Sequence, residues 1–258
     1  MGAVAIMGIV NVTPDSFRGD GLMDHGAAVA RGLAMARAGA QIVDVGGEST
    51  RPGHAPVAAG EEIERAVPVV EALAREGLTV SIDTSKLEVA RAAADAGATI
   101  VNDIWGLKRS PGIASLAAER GLRLVLMHNQ EGTVYPGDLI DAMRDGLSDS
   151  LSRALSAGVP RERIILDPGI GFGKTAQQNL AVLRRLDELR KLGCPILVGP
   201  SRKSFLGKLF GQDMGMRVWG TAAAVTAAIL RGADIVRVHD VPEMLAVARV
   251  AEALRVES

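Results

Sequence analysis

The sequence contains a single cysteine, Cys194, so neither an internal disulfide nor a multi-thiolate metal site can form within it. That cysteine precedes Pro195 at the start of an apolar run, a setting that suits a small buried hydrophobe better than a nucleophile. Aromatic residues are scarce, at 3% with two Trp and one Tyr, which leaves little for the stacking platforms that hold single-stranded nucleic acids. Neither sign of charge is in excess: 29 basic residues face 30 acidic ones, for a net charge of −1. A surface built for a phosphate backbone needs a basic surplus, so nucleic acid is not an expected partner. Long apolar runs are missing as well. The longest weakly polar stretch, Val218 to Leu230, lies between Arg217 and Arg231 and is too short to span a bilayer. The N-terminal MGAVAIMGIV has no basic flank of the kind that opens a signal peptide. The expectation is a cytoplasmic protein that handles small molecules, with no membrane partner.

What is present is a rhythm. Eight short runs rich in Val, Ile and Leu recur along the 258 residues: AVAIMGIV, QIVDVG, LTVSIDT, TIVNDI, LRLVLMH, RIILDPG, PILVGPS and DIVRVHD. Most lack polar/apolar alternation, as strands of a parallel sheet buried on both faces do. Between them lie Ala-rich stretches with helical spacing, among them Ala27 to Ala38, Glu61 to Arg75 and Leu180 to Lys191. Gly39, Gly77, Gly97, Gly121, Gly193 and Gly232 follow such stretches and suit the left-handed position that ends a helix. Eight βα units with no linker or shift of composition predict one α/β domain over residues 1–258, a (β/α)8 TIM barrel. A doubly wound open sheet is the alternative, but no G-x-G-x-x-G follows the first strand.

A barrel of this kind carries its chemistry at the carboxyl ends of its strands. The runs end in Asn11, Asp44, Asp83, Asn102-Asp103, His128, Asp167, Ser201-Arg202-Lys203-Ser204 and Arg237/His239. One such residue alone is more often a helix cap or a satisfied buried group. Eight strand ends converging on one mouth outweigh that reading. Arg237, His239 and Asn11, on the neighbouring eighth and first strands, offer donors for a phosphate or diphosphate. Asp83, Asn102 and Asp167 offer acceptors for the amino and ring N–H edges of a heterocycle, and Lys203 a donor for a ring carbonyl or nitrogen. The residues together describe a site for an anionic, phosphorylated heterocycle without naming its reaction.

The stretches GIVNVTPDSF, DVGGESTRPG, SIDTSK, IVNDI, LMH, ILDPGIGFGK, SRKS and IVRVHDV, in this order from about Met7 to His239, closely resemble the motif series of the dihydropteroate synthase family. The resemblance implies a transferase of folate biosynthesis. It joins 6-hydroxymethyl-7,8-dihydropterin diphosphate to 4-aminobenzoate and releases diphosphate, with Mg²⁺ assisting and an S_N1-like mechanism. Residue by residue it implies Asn11 as the Mg²⁺-linked amide, Thr50 and Arg51 as the second-loop groups that meet diphosphate, and Asp83, Asn102, Asp167 and Lys203 as the pterin pocket. Ile104 and Met127 are its apolar walls. Arg237 and His239 match the anion site, and Pro52, Gly171, Phe172, Lys203 and Ser204 the aminobenzoate pocket. Asp83, Lys203 and Arg51 carry the catalytic roles. A homodimer is implied as well, with Val218 to Leu230 and Pro242 to Ala253 as its surface.

The chain departs from the pattern where Arg18-Gly19-Asp20-Gly21 replaces the usual Ser-Asp-Gly-Gly, moving the acidic residue by one position. No insertion interrupts DPGIGFGK, and sulfonamide sensitivity is expected. His128 reads equally as strand packing or as a ligand contact, and Lys174 as a solvated loop charge or as a binding residue. His25 and His54 are given no role. Two alternatives stay open: a pterin-dependent methyltransferase domain, against which STRPG and SRKS speak, and a pterin-binding paralogue without catalysis, favoured only by the altered first loop.

Overall fold

All eight apolar runs are strands in the computed structural model, which describes residues 3–13, 24–49, 56–209 and 216–255. They are β1 (Ala5–Asn11), β2 (Ile42–Gly46), β3 (Val80–Asp83), β4 (Ile100–Asp103), β5 (Arg123–Met127), β6 (Ile164–Asp167), β7 (Leu197–Val198) and β8 (Ile235–Val238). All pair in parallel, in the order β6-β5-β4-β3-β2-β1-β8-β7. A parallel bridge from Leu166 to Ile196 brings the two ends together and closes the ring. The helices are α1 (His25–Arg37), α2 (Ala59–Arg75), α3 (Leu87–Asp95), α4 (Gly112–Arg120), α5 (Leu139–Ser156), α6 (Ala176–Arg184), α7 (Ser204–Leu209), α8 (Arg217–Leu230) and α9 (Val241–Leu254). They alternate with the strands as a TIM barrel requires, β7 being followed by two. Among the described residues no helix is long and apolar enough to cross a membrane.

The six glycines expected to end helices all have positive φ, from 61° at Gly121 to 107° at Gly39. Cys194 is buried, as its neighbours suggested. One helix differs from expectation. The pattern from Leu180 to Lys191 is not a single α-helix, because α6 stops at Arg184 and residues Leu186–Leu192 form a 3₁₀-helix. The spacing explains the change: Leu183, Leu186, Leu189 and Leu192 recur every third residue, which stacks them on one face at three residues per turn. At the junction the Arg185 guanidinium pairs with both Asp138 and Glu188.

The apparent lack of alternation in the strands conceals two apolar layers. Ile6, Val43, Val101, Leu124, Leu166, Val198 and Val236 belong to the core between strands and helices. Met7, Ile42, Ile100, Val125, Ile165, Leu197 and Ile235 form a separate cluster inside the barrel. On five of these strands the next inward position, two residues toward the carboxyl end, is Asp44, Asn102, Met127, Asp167 or Arg237, and after Met7 and Leu197 it is Ile9 and Gly199. The barrel is therefore apolar at its floor and polar at its mouth. Register aligns these positions, with Asp83 beside Asn102 and Met127 beside Asp167.

Candidate active site

The mouth is organised around the Arg237 guanidinium. Its Nε donates to Asp44 Oδ2 at 2.5 Å and its Nη2 to Asp83 Oδ2 at 2.5 Å. Asp44 also accepts from Asn102 Nδ2 at 3.1 Å. Two buried carboxylates thus share one cation, which leaves the cluster with surplus negative charge in a water-poor setting. Burial pushes the Asp83 carboxyl up to about 7 even though the Arg237 charge opposes it. Asp167, also buried, is pushed up to about 6, with the Gly169 N–H bond to its Oδ1 (2.7 Å) acting the other way.

Three oxygens of this cluster, Asp44 Oδ1, Asp83 Oδ1 and Asn102 Oδ1, are buried without a hydrogen-bond partner. Unpaired buried acceptors are costly, and each is a place where a ligand's N–H gains what the protein lacks. Beside Asp83 opens a cleft of about 200 Å³ lined by Glu48, Ile104, Trp105, Arg109, Asn129 and Phe172, among others. On its far side the Lys203 ammonium stands 3.9 Å from the centre of the Phe172 ring. Gly171 lies beneath the same side chain, where a Cβ would meet Lys203 Cδ at 2.8 Å. Ser204 begins α7 and is exposed.

The half expected from sequence to meet an anion is built from strand one and the last two units. His239 Nδ1 is 2.9 Å from Ser201 Oγ, which also accepts from the His239 backbone N–H at 3.1 Å. Arg202, at a positive φ of 54°, pairs through both Nε and Nη2 with Asp240. Two adjacent residues after β7 are thereby latched to two adjacent residues after β8, and this fixes the backbone that presents Lys203. Asn11 ends β1 with its Oδ1 directed at the space above Gly46, where a Cβ would stand 3.9 Å from it and 3.8 Å from Asp83 Oδ2. Among the described residues no three His, Cys, Asp or Glu side chains are grouped to hold a metal ion.

Of the residues expected at the site, Asn11, Asp83, Asn102, Asp167, Gly171, Phe172, Lys203, Ser204, Arg237 and His239 are described and lie at the carboxyl end of the barrel. Arg18, Gly19, Asp20, Thr50, Arg51 and Pro52 lie outside the described residues. Arg237, read from sequence as an anion donor, has carboxylates as its protein partners. Asp103 turns away from the cleft, and its carboxylate accepts from the backbone N–H groups of Trp105 (2.9 Å) and Leu107 (2.6 Å).

The solvated reading of Lys174 is corrected. Its side chain is buried, because the loop after β6 folds over it. His128 faces that ammonium, with its Nδ1 3.3 Å away; burial and the nearby lysines push its pKa down to about 3, so it is a neutral acceptor. Sequence reasoning gave no site role to Asp44, or to Trp105 and Arg109, whose guanidinium stacks 3.8 Å above the indole on the cleft rim. Position after the fourth strand was the available signal for the last two.

Comparison with known proteins extends the picture. Residues 7–239 match the pterin binding enzyme family. A dihydropteroate synthase of Synechocystis sp. is 49% identical over 96% of this chain and 89% of its own length. A solved dihydropteroate synthase of Xanthomonas albilineans with 4-aminobenzoic acid superimposes with a TM-score of 0.93 at 41% identity, covering 99% of this chain and 94% of that one. A Yersinia pestis dihydropteroate synthase in complex with a sulfonamide drug gives a TM-score of 0.91 at 41% identity, covering 98% and 94%.

Proposed function

The chain belongs to the pterin binding enzyme family, as one of its dihydropteroate synthases, and from that premise we propose how its barrel mouth carries out the reaction. The reaction joins 6-hydroxymethyl-7,8-dihydropterin diphosphate to 4-aminobenzoate and yields 7,8-dihydropteroate and diphosphate. The observation that carries the site assignment is the set of buried, unpartnered acceptor oxygens on Asp83 and Asn102 beside the acidic Asp167. A pterin presents a row of N–H donors to such a set, and an apolar ring edge to Ile104 and Met127. Lys203 donates to the ring carbonyl or nitrogen, and the Arg237 charge opposes the effect of burial on Asp83, so that its carboxyl is ionised above about pH 7.

As the bond from the pterin methylene carbon to the diphosphate oxygen breaks, its electron pair leaves with the diphosphate. The positive charge left on the dihydropterin methylene is stabilised by the Asp83 carboxylate. The neutral amine of 4-aminobenzoate, held over Phe172 near Ser204, forms the new C–N bond with its lone pair and then loses a proton to solvent water. His239 and the second-loop residues Thr50 and Arg51 receive the departing diphosphate. The Asn11 amide would hold a magnesium ion through its Oδ1, a hard oxygen donor of the kind Mg²⁺ takes. Magnesium bound there supplies neutralisation of charge on the leaving group.

The test is an assay with both substrates and Mg²⁺ that measures diphosphate release; release that does not depend on 4-aminobenzoate overturns the reading. EDTA is expected to abolish turnover. Asn11→Ala is expected to raise the Mg²⁺ concentration needed for half-maximal rate, and an unchanged requirement removes Asn11 from the metal site. Sulfonamides are expected to compete with 4-aminobenzoate, because nothing in DPGIGFGK adds bulk that would reject a sulfonyl group while admitting a carboxylate. Inhibition that excess 4-aminobenzoate fails to relieve would contradict that pocket. A homodimer through α8 and α9 is supported by Trp219, Val250 and Leu254, each at least 60% exposed. Sedimentation of the purified protein as a monomer at micromolar concentration counts against it.

A further inference from the structure

The reaction above makes no use of Lys174, yet its side chain is withdrawn from water and its ammonium is placed with care. The Nζ donates to the carbonyl oxygens of Gly169 at 3.1 Å and Phe172 at 3.0 Å, and lies 3.3 Å from His128 Nδ1. Those carbonyls belong to a loop with no regular structure of its own. Gly169, Gly171 and Gly173 all take positive φ (68°, 85° and 55°), alternating with ordinary residues. The N–H groups of this loop are held separately: Gly169 by Asp167 Oδ1, Gly171 by Asn179 Oδ1 at 2.6 Å, and Phe172 by the Gly169 carbonyl at 3.1 Å. Lys174 supplies the other half, the donor for two carbonyls that flank the aminobenzoate side of the site.

We propose that Lys174 is a positioning residue: its ammonium, by holding the Gly169 and Phe172 carbonyls, fixes the Phe172 ring beneath Lys203 and so sets the affinity for 4-aminobenzoate. The proposal rests on the pocket assignment made above. Four groups face the ammonium: His128 from the end of β5, Asp167 from β6, Lys108 from the turn after β4 and Lys203 from the turn after β7. Of these, Asp167 favours the charged form while burial and the two lysines oppose it, so the proton is held only up to about pH 7. The lost proton leaves an uncharged amine with two N–H donors, whose bonds to the two carbonyls lose their charge assistance and weaken. Affinity for 4-aminobenzoate therefore weakens above that pH.

Lys174→Met and Lys174→Arg decide the matter, with both Michaelis constants measured from about pH 6 to about pH 9 and amide exchange followed over residues 169–173. The methionine variant is expected to raise the 4-aminobenzoate KM about tenfold, to change the pterin diphosphate KM less than about threefold, and to exchange those amides faster. The alkaline rise in the 4-aminobenzoate KM should be present in the wild type and absent from both variants, since arginine keeps its charge throughout. Equal rises in both constants, unchanged exchange, or an alkaline rise that persists in the variants overturns the proposal. Should the methionine variant fail to fold, the arginine variant retains the pH test. A wild type that forms no dihydropteroate contradicts the reading of the reaction instead, and amide exchange still judges the role of Lys174.

Discussion

Arg237→Met is expected to destabilise the protein by about 3–5 kcal/mol near pH 8, the cost of leaving buried carboxylates without their counter-charge. The guanidinium is bonded to Asp44, which is fully buried, and to Asp83, 7% exposed, so no solvent replaces it readily. The pH dependence gives the cause away. A carboxyl whose pKa is raised by folding contributes stability that is complete below its unfolded value, near 3.9, and lost as pH rises through the folded one. For Asp83 the folded value is already about 7 with Arg237 present. Removing the cation pushes it further up, so the variant should recover much of the difference when the Asp83 carboxyl takes up its proton near pH 5. Urea denaturation of both proteins at the two pH values measures this. A loss of the same size at both would assign Arg237 to packing rather than charge.

The barrel and its mouth were legible in the sequence because TIM topology turns a one-dimensional pattern into a place. Eight apolar runs each ending in a polar residue can only bring those residues together once the strands run parallel in a ring. Asp83, Asn102, Asp167 and Lys203 needed no more than that. The partners of Arg237 needed more, since Asp44 is 193 residues away and the pairing depends on which inward layer each occupies. An arginine in a site that also expects diphosphate was read from sequence as a donor to anions, whereas here the first claim on its guanidinium comes from carboxylates. Lys174 was ambiguous for a different reason. A lysine after G-F-G in a loop has the composition of a solvated charge, and only the left-handed turns at Gly169, Gly171 and Gly173 fold the chain so that its carbonyls close over the ammonium. The Leu180 to Lys191 pattern failed as an α-helix because a period of three, read loosely, also satisfies 3.6.

Asp167→Asn is expected to weaken binding of the pterin substrate by about 1.5–3 kcal/mol, roughly one to two orders of magnitude, and far more than it weakens binding of 4-aminobenzoate. The argument begins with the register that sets Asp167 beside Met127 on the inward face of β6. One of its oxygens is committed to the Gly169 N–H, and the carboxylate as a whole is the acceptor that ring donors would meet. An asparagine has the same shape but keeps a single acceptor, so it either abandons Gly169 or turns an NH₂ group toward the ring's own donors. Burial holds the Asp167 pKa at about 6, which supplies a second signature. In the wild type, pterin affinity falls as pH drops below that value, because the protonated acid is the poorer acceptor; in the variant the Asp167 part of this fall is gone. Asp83, at about 7, titrates in both proteins and cancels in the comparison. Calorimetry of pterin binding between about pH 5 and about pH 8 reads both effects. Affinity within twofold of wild type, or an acid limb identical in the two proteins, would take Asp167 out of the pterin pocket.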